Sequence, residues 1–150
     1  MAVLIVLFIS FLASSGILKM ITSEWNFILS GNIAMCIMLF FTALGHFKFP
    51  KGMAMMIPKI IPYKTELVYL TGFVEIAAGA GLLFPQFRYF TGVFLIVFFI
   101  LILPANIYAA LHNLDYQKGT FDGKGPTYLW FRIPMQLFLI AWVWFFTILL

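Results

Sequence analysis

Five long apolar stretches constrain this chain more than any other feature. A bilayer's hydrocarbon core is about 30 Å thick and needs about 20 residues of helix to cross it. Inside lipid, every backbone amide must find its hydrogen-bond partner within its own segment, so each stretch is predicted to be a helix. The approximate bounds of the five spans are Met1–Leu18, Asn26–Leu44, Glu66–Phe84, Tyr89–Leu111 and Tyr128–Leu150.

Composition agrees with a membrane location and excludes a water-soluble domain. Of the 150 residues, 64% are apolar and only 9% are charged, whereas soluble domains contain about 25% charged residues. The spans leave no room for a second domain, so residues 1–150 are predicted to form one all-α integral membrane helical bundle. The nine Lys and Arg residues form no basic helix face, which argues against a nucleic-acid partner. Membrane lipids, with anionic headgroups, are the expected partner.

The first span is interpreted as a retained helix rather than a secretory signal peptide. No Lys or Arg precedes its apolar core, as a signal peptide would require. Its polar residues are small, so we expect them to allow close contact with a neighbouring helix. They are Ser10, Ser14, Ser15 and Gly16.

Charge distribution predicts an orientation. Five crossings place residues 45–65 and 112–127 on the same side as the N-terminus. That side carries Lys48, Lys51, Lys59, Lys64, Lys118 and Lys124, whereas the other side has only Lys19 and Arg88. The positive-inside rule therefore predicts a cytoplasmic N-terminus. A bacterial inner membrane is the expected location.

The segment between the second and third spans has its own helical pattern. From Lys51 to Ile61, apolar residues recur at helical spacing: Met53, Met56, Ile57, Ile60 and Ile61. This pattern predicts a short amphipathic helix in the headgroup layer, either a surface anchor or a lid over a lipophilic cavity. Pro58 lacks an amide hydrogen, so a kink or break is expected there.

Five of the polar residues in or beside the spans are candidate site residues, because polar and ionisable groups in lipid are costly and usually face the bundle interior. They are His46, Glu75, Asn106, Arg132 and Gln136, and all are expected in the half of the bilayer beneath the amphipathic segment. Glu75 shares a helix face with Gly72 and Gly79, so this face is expected to approach another helix closely.

Two interpretations of this polar group remain open. Either Arg132 pairs with an ionised Glu75, or Glu75 is protonated and donates a hydrogen bond to Asn106 or Gln136. The function of the group is also open: it either binds a ligand or only fixes how the helices assemble. His46, Asn106, Arg132 and Gln136 are donors that suit quinone carbonyls. No metal site is predicted, because His46 and Cys36 have no partner ligands at suitable spacing, and no catalytic residue is identified.

Four groups of residues follow one another in a recognisable order between about Gly31 and Trp144. They are His46-Phe47, Pro50, Met56-Ile57-Pro58 and Pro62; then Gly72, Glu75-Ile76, Gly79, Leu82-Leu83 and Pro85; then Pro104-Ala105-Asn106-Ile107; and finally Arg132-Ile133-Pro134-Met135-Gln136 with Trp142. In this order the chain resembles the DoxX family of small membrane proteins.

The resemblance implies a four-helix membrane core, formed by the second to fifth spans, to which the first span is an addition. Some relatives are subunits of quinone-reducing complexes, and others, in the NACHO-like branch, are assembly factors. We therefore expect an accessory or lipophile-binding subunit of a membrane redox complex, with quinone or lipid as the ligand, no covalent cofactor and no autonomous activity.

The alternative is a scaffold or assembly factor that docks a membrane protein partner or a second copy of the chain. Its docking face would contain Ala77, Gly79, Ala80 and Gly81. Certain redox-linked relatives carry paired cysteines. This chain departs from them because Cys36 is its only cysteine, which argues against a thiol–disulfide mechanism.

Overall fold

The computed structural model describes all 150 residues and shows one bundle of α-helices without β-strands. The helices are α1 (Ala2–Thr22), α2 (Phe27–Lys48), α3 (Pro50–Ala54), α4 (Lys64–Leu83), α5 (Pro85–Leu111) and α6 (Leu129–Trp144). A 3₁₀ turn, Gly125–Tyr128, precedes α6, and a π-helical turn, Phe145–Leu149, follows it. The predicted all-α fold is confirmed.

Five segments are long and apolar enough to cross a membrane, as the sequence predicts. They are α1, α2, α4, α5 and the continuous segment Gly125–Leu149. Each contains at least 20 residues, which matches the thickness of the hydrocarbon core. These are the features of a membrane protein that crosses the bilayer several times.

The second span, α2, lies at the centre of the bundle. It packs against α1 on one side and α4 on the other, and it also contacts the end of α6 and the π-helical turn. The fully buried side chains of α2 include Met35, Met38 and Leu39. Leu7 of α1 is also fully buried in this core, so the first span packs against the other helices.

The predicted amphipathic helix is wrong over most of its length. Only α3, a single turn from Pro50 to Ala54, is helical, and residues 55–63 form turns. Pro58 explains this ending, because it has no N–H to donate and it disfavours the helical conformation of the residue before it.

The two longer connectors lie at the same end of the bundle, as five crossings require. We call this end the connector face; it comprises residues 49–63 and 112–124. A Cβ atom added to Gly52 would lie 1.6 Å from the carbonyl oxygen of Tyr116, so the two backbones are in direct contact. The Phe49 and Tyr116 rings also meet edge to face, with centroids 6.1 Å apart.

Candidate functional site

The glycine-containing face of α4 packs directly on α2. A Cβ atom on Gly72 would lie 3.0 Å from the Cβ atom of His46, and one on Gly79 would lie 3.0 Å from the ring of Phe40. Such approaches leave no space for a larger side chain. The predicted close contact of this face is therefore confirmed, and it buries Glu75, which is 4% exposed, between the two glycines.

The partners of Glu75 are Thr42 and His46 of α2. Glu75 Oε2 lies 3.0 Å from Thr42 Oγ1 and 3.4 Å from His46 Nδ1. The same imidazole nitrogen lies 3.1 Å from the backbone carbonyl oxygen of Thr42. We call Thr42, His46 and Glu75 the α2–α4 subsite.

A second subsite joins α5 to α6. Arg132 Nη2 donates a hydrogen bond of 3.1 Å to Asn106 Oδ1. One turn later, Gln136 Nε2 donates a hydrogen bond of 3.0 Å to the backbone carbonyl of Phe99. Arg132 and Gln136 thus act from one face of α6, as their spacing predicts. We call Asn106, Arg132 and Gln136 the α5–α6 subsite.

The predicted pairing of Glu75 with Arg132 is wrong. Arg132 makes no ion pair with Glu75, and Glu75 bonds to neither Asn106 nor Gln136, so the alternative partners are also wrong. The cause is packing: the two glycines press α4 onto α2, and the carboxyl group therefore meets side chains of α2. The five predicted residues form two subsites rather than one cluster.

Thr42 was not among the residues identified from the sequence. It lies one helical turn before His46, so the two share a face of α2. A hydroxyl group on the same face as a histidine was the signal that would have identified it.

Asn106 has an unused donor in a buried position. The residue is 7% exposed, and its Oδ1 atom is occupied by Arg132, yet its Nδ2 atom has no hydrogen-bond partner. A buried donor without an acceptor costs about 1–3 kcal/mol. The α5–α6 subsite therefore suits a ligand that supplies an acceptor oxygen. No three His, Cys, Asp or Glu side chains come together anywhere in the chain to hold a metal ion.

Two apolar grooves lie on the outer surface, and neither is lined by any of the five predicted residues. One runs between α4 and α5 and is lined by Val74, Ala77, Ala78, Phe90, Thr91 and Phe94. We call it the α4–α5 groove. The other lies along α6 and the π-helical turn and is lined by Phe138, Ala141, Trp142, Trp144, Phe145 and Phe146.

The small residues expected to dock a partner are largely used inside the chain. Gly79 packs against Phe40, and a Cβ atom on Gly81 would lie 2.6 Å from Thr91 Oγ1. Ala77 is exposed and lines the α4–α5 groove. Of the predicted docking face, Ala77 is thus open to a partner in this groove, whereas the two glycines are not.

A third polar connection, missed at the sequence level, joins α2 to the end of the chain. Asn32 Nδ2 donates to the backbone carbonyls of Ile28 and Phe146, at 2.8 and 3.1 Å. Trp142 Nε1 donates to the carbonyl of Gly31 at 3.1 Å. An asparagine inside the second span was the available signal.

The fold and its buried polar side chains thus define a helical membrane protein with two internal polar subsites. Comparison with protein families matches residues 35–147 to a domain of unknown function, DUF8561. The match covers most of the chain, and the chain belongs to this family. Both subsites lie inside the matched residues, whereas α1 lies outside them. No curated protein and no solved structure matches the chain, and the resemblance to the DoxX family stays a prediction.

Proposed function

We propose that this protein is an accessory subunit of a membrane redox complex, and that its α5–α6 subsite binds the carbonyl headgroup of a lipophile such as a quinone. The observation that carries the proposal is the buried, unpartnered Nδ2 atom of Asn106 beside the Arg132 guanidinium. A quinone oxygen accepts hydrogen bonds and donates none, which suits two adjacent donors.

The surroundings of this subsite favour a lipophilic ligand over a water-soluble one. Asn106 and Gln136 are both buried within helices whose outer faces are apolar. A headgroup there would enter from the membrane, and its hydrocarbon tail would stay among lipid chains. The protein would bind and position the headgroup, and a partner protein would supply the electrons.

Binding of a short-chain benzoquinone to the full-length protein in lipid nanodiscs tests this function. Asn106→Leu and Arg132→Gln are each expected to weaken binding by about tenfold or more, because each alters a donor that is buried or half-buried. Arg88→Gln is the matched control, since Arg88 lies at the opposite end of the bundle and bonds to the Leu82 carbonyl. Equal affinity in the wild type and all three variants would exclude the α5–α6 subsite as the quinone-binding site.

The second candidate is a scaffold or assembly factor, and the open α4–α5 groove is the observation that favours it. A groove lined by Ala77 and two phenylalanines accepts the side chains of another membrane helix. A photocrosslinker at Ala77 would then capture one defined partner or a second copy of the chain. A crosslinker at Leu137, exposed on α6 outside this groove, is the control and is expected to capture neither.

For the location, we propose the inner membrane of a bacterium with the N-terminus in the cytoplasm. The support is the lysine bias: six lysines belong to the connector-face end of the chain, and the opposite end has Lys19 and Arg88. The connectors are short, so the positive-inside rule applies to them.

A further inference from the structure

The hydroxyl group of Thr42 contacts two acceptor groups but carries one hydrogen. Thr42 Oγ1 lies 3.0 Å from the backbone carbonyl oxygen of Leu39 and 3.0 Å from Glu75 Oε2. A hydroxyl donates one hydrogen bond and accepts others. Thr42 can donate to Glu75 when the carboxylate is ionised. If Thr42 donates to Leu39, a protonated Glu75 donates to Thr42. The same arrangement of atoms therefore accommodates Glu75 with or without its proton.

His46 connects this carboxyl group to the connector face. Its Nδ1 atom is 3.4 Å from Glu75 Oε2, and its side chain is 17% exposed, compared with 5% for Glu75. His46 lies two residues before the end of α2, at the connector face. An imidazole can accept a proton at one nitrogen and release one from the other, which makes histidine a proton shuttle.

We propose that Glu75 is a buried proton-exchange site and that His46 carries protons between it and water at the connector face. This proposal concerns a different subsite from the quinone proposal and does not require a bound ligand.

The transfer is a simple sequence of bond changes. His46 Nε2 takes a proton from water, which gives a cationic ring whose protonated Nδ1 lies 3.1 Å from the Thr42 carbonyl oxygen and 3.4 Å from Glu75 Oε2. The Nδ1–H bond breaks as the O–H bond of Glu75 forms, and the ring is left neutral with its proton on Nε2. The carboxyl group then donates to Thr42 Oγ1, and Thr42 donates to the Leu39 carbonyl. Release follows the same steps in reverse.

Few charged groups surround this carboxyl group. On α2 the titratable group in contact with Glu75 is His46, and Arg132 of α6 makes no ion pair with it. Lys51 of the neighbouring α3 has an exposed side chain. His46 is thus the titratable side chain in contact with Glu75.

Infrared spectroscopy of the full-length protein in lipid vesicles tests the proposal without any quinone. A carboxylic acid C=O band that disappears in Glu75→Gln is expected, and this band shifts when the protein is moved into D₂O. His46→Phe is expected to slow that shift by about 100-fold or more, because it removes the proton-carrying group. His46→Gln is expected to slow it similarly, and it serves as the second variant should the phenylalanine prevent folding.

His112→Phe is the matched control. His112 Nδ1 contacts the carbonyl of Tyr108 at 2.8 Å, one turn back on α5, as His46 Nδ1 contacts that of Thr42. His112 has no carboxylate beside it, and its variant is expected to exchange at the wild-type rate. Unchanged exchange in both His46 variants would overturn the proposal, as would the absence of any acid band sensitive to Glu75→Gln. Loss of quinone binding in Asn106→Leu would not affect this outcome.

Discussion

Several polar side chains inside this bundle donate to backbone carbonyls of neighbouring helices. Gln136 donates to Phe99, Trp142 to Gly31 and Asn32 to Phe146. In lipid no water is available as an acceptor, and the carbonyl oxygen of a helical residue can accept a second hydrogen bond. Every residue offers such an acceptor, so the sequence does not show which carbonyl a given side chain will meet.

Gly31 is expected to be essential for the contact between α2 and the end of the chain. A Cβ atom on Gly31 would lie 2.4 Å from the ring of Phe146, so Gly31→Ala must displace that ring. A cost of about 1–3 kcal/mol is expected, as for other overpacked sites. Thermal unfolding of the protein in detergent measures this loss of stability. Gly16→Ala is the control, because nothing lies within 4 Å of that position, and an equal loss of stability there would contradict the explanation.

Asn32 is expected to stabilise the same junction through its hydrogen bond to the Phe146 carbonyl. Asn32→Leu removes this donor, and a loss of about 1 kcal/mol is expected from measured interhelical hydrogen bonds in membranes. Chemical unfolding of the detergent-solubilised protein measures the change. Thr71→Val is the comparison, because the Thr71 hydroxyl bonds only to the Val68 carbonyl of its own helix. The explanation fails if both variants lose the same stability.

At the scale of helices, the sequence predicts where the spans lie better than where they end. Length and apolar content suffice for α1, α2, α4 and α5, because lipid imposes both. The connector segment is different: periodicity predicts a helix to Ile61, but the backbone restriction at Pro58 outweighs that pattern. Apolar spacing alone therefore overestimates the length of a short interfacial helix that contains proline.

The contact between the two connectors is expected to depend on Gly52. A Cβ atom there would meet the backbone of Tyr116, and backbone cannot shift as a side-chain end can. Gly52→Ala is expected to separate the connectors and to accelerate tryptic cleavage after Lys118. Gly45→Ala is the control, because its Cβ atom would meet only the flexible end of Met53, at 3.2 Å. Equal cleavage rates in the two variants would contradict a packed connector face.

At the scale of the whole molecule, the sequence predicts which residues enter the interior but not how they pair. Glu75, Asn106 and Gln136 are buried, as their position within apolar spans predicts. Their partners depend on which helices are adjacent and on how each is rotated about its axis. The glycines of α4 set that rotation against α2, and this is why Glu75 meets His46 rather than Arg132.

The arrangement of the spans leads to a test of sidedness for the entire chain. Lys59 and Lys118 are exposed on the connector face, and Gln86 is exposed at the opposite end, at the start of α5. Cysteines introduced one at a time, as Lys59→Cys and Lys118→Cys, are expected to react with a membrane-impermeant maleimide from the same side of sealed vesicles. A cysteine at Gln86 is expected to react only from the other side, because α4 and α5 each cross the bilayer once. Native Cys36 is buried, so wild-type protein serves as the unlabelled control. Labelling of Lys59→Cys and Lys118→Cys from opposite sides would be incompatible with α4 and α5 both crossing the membrane.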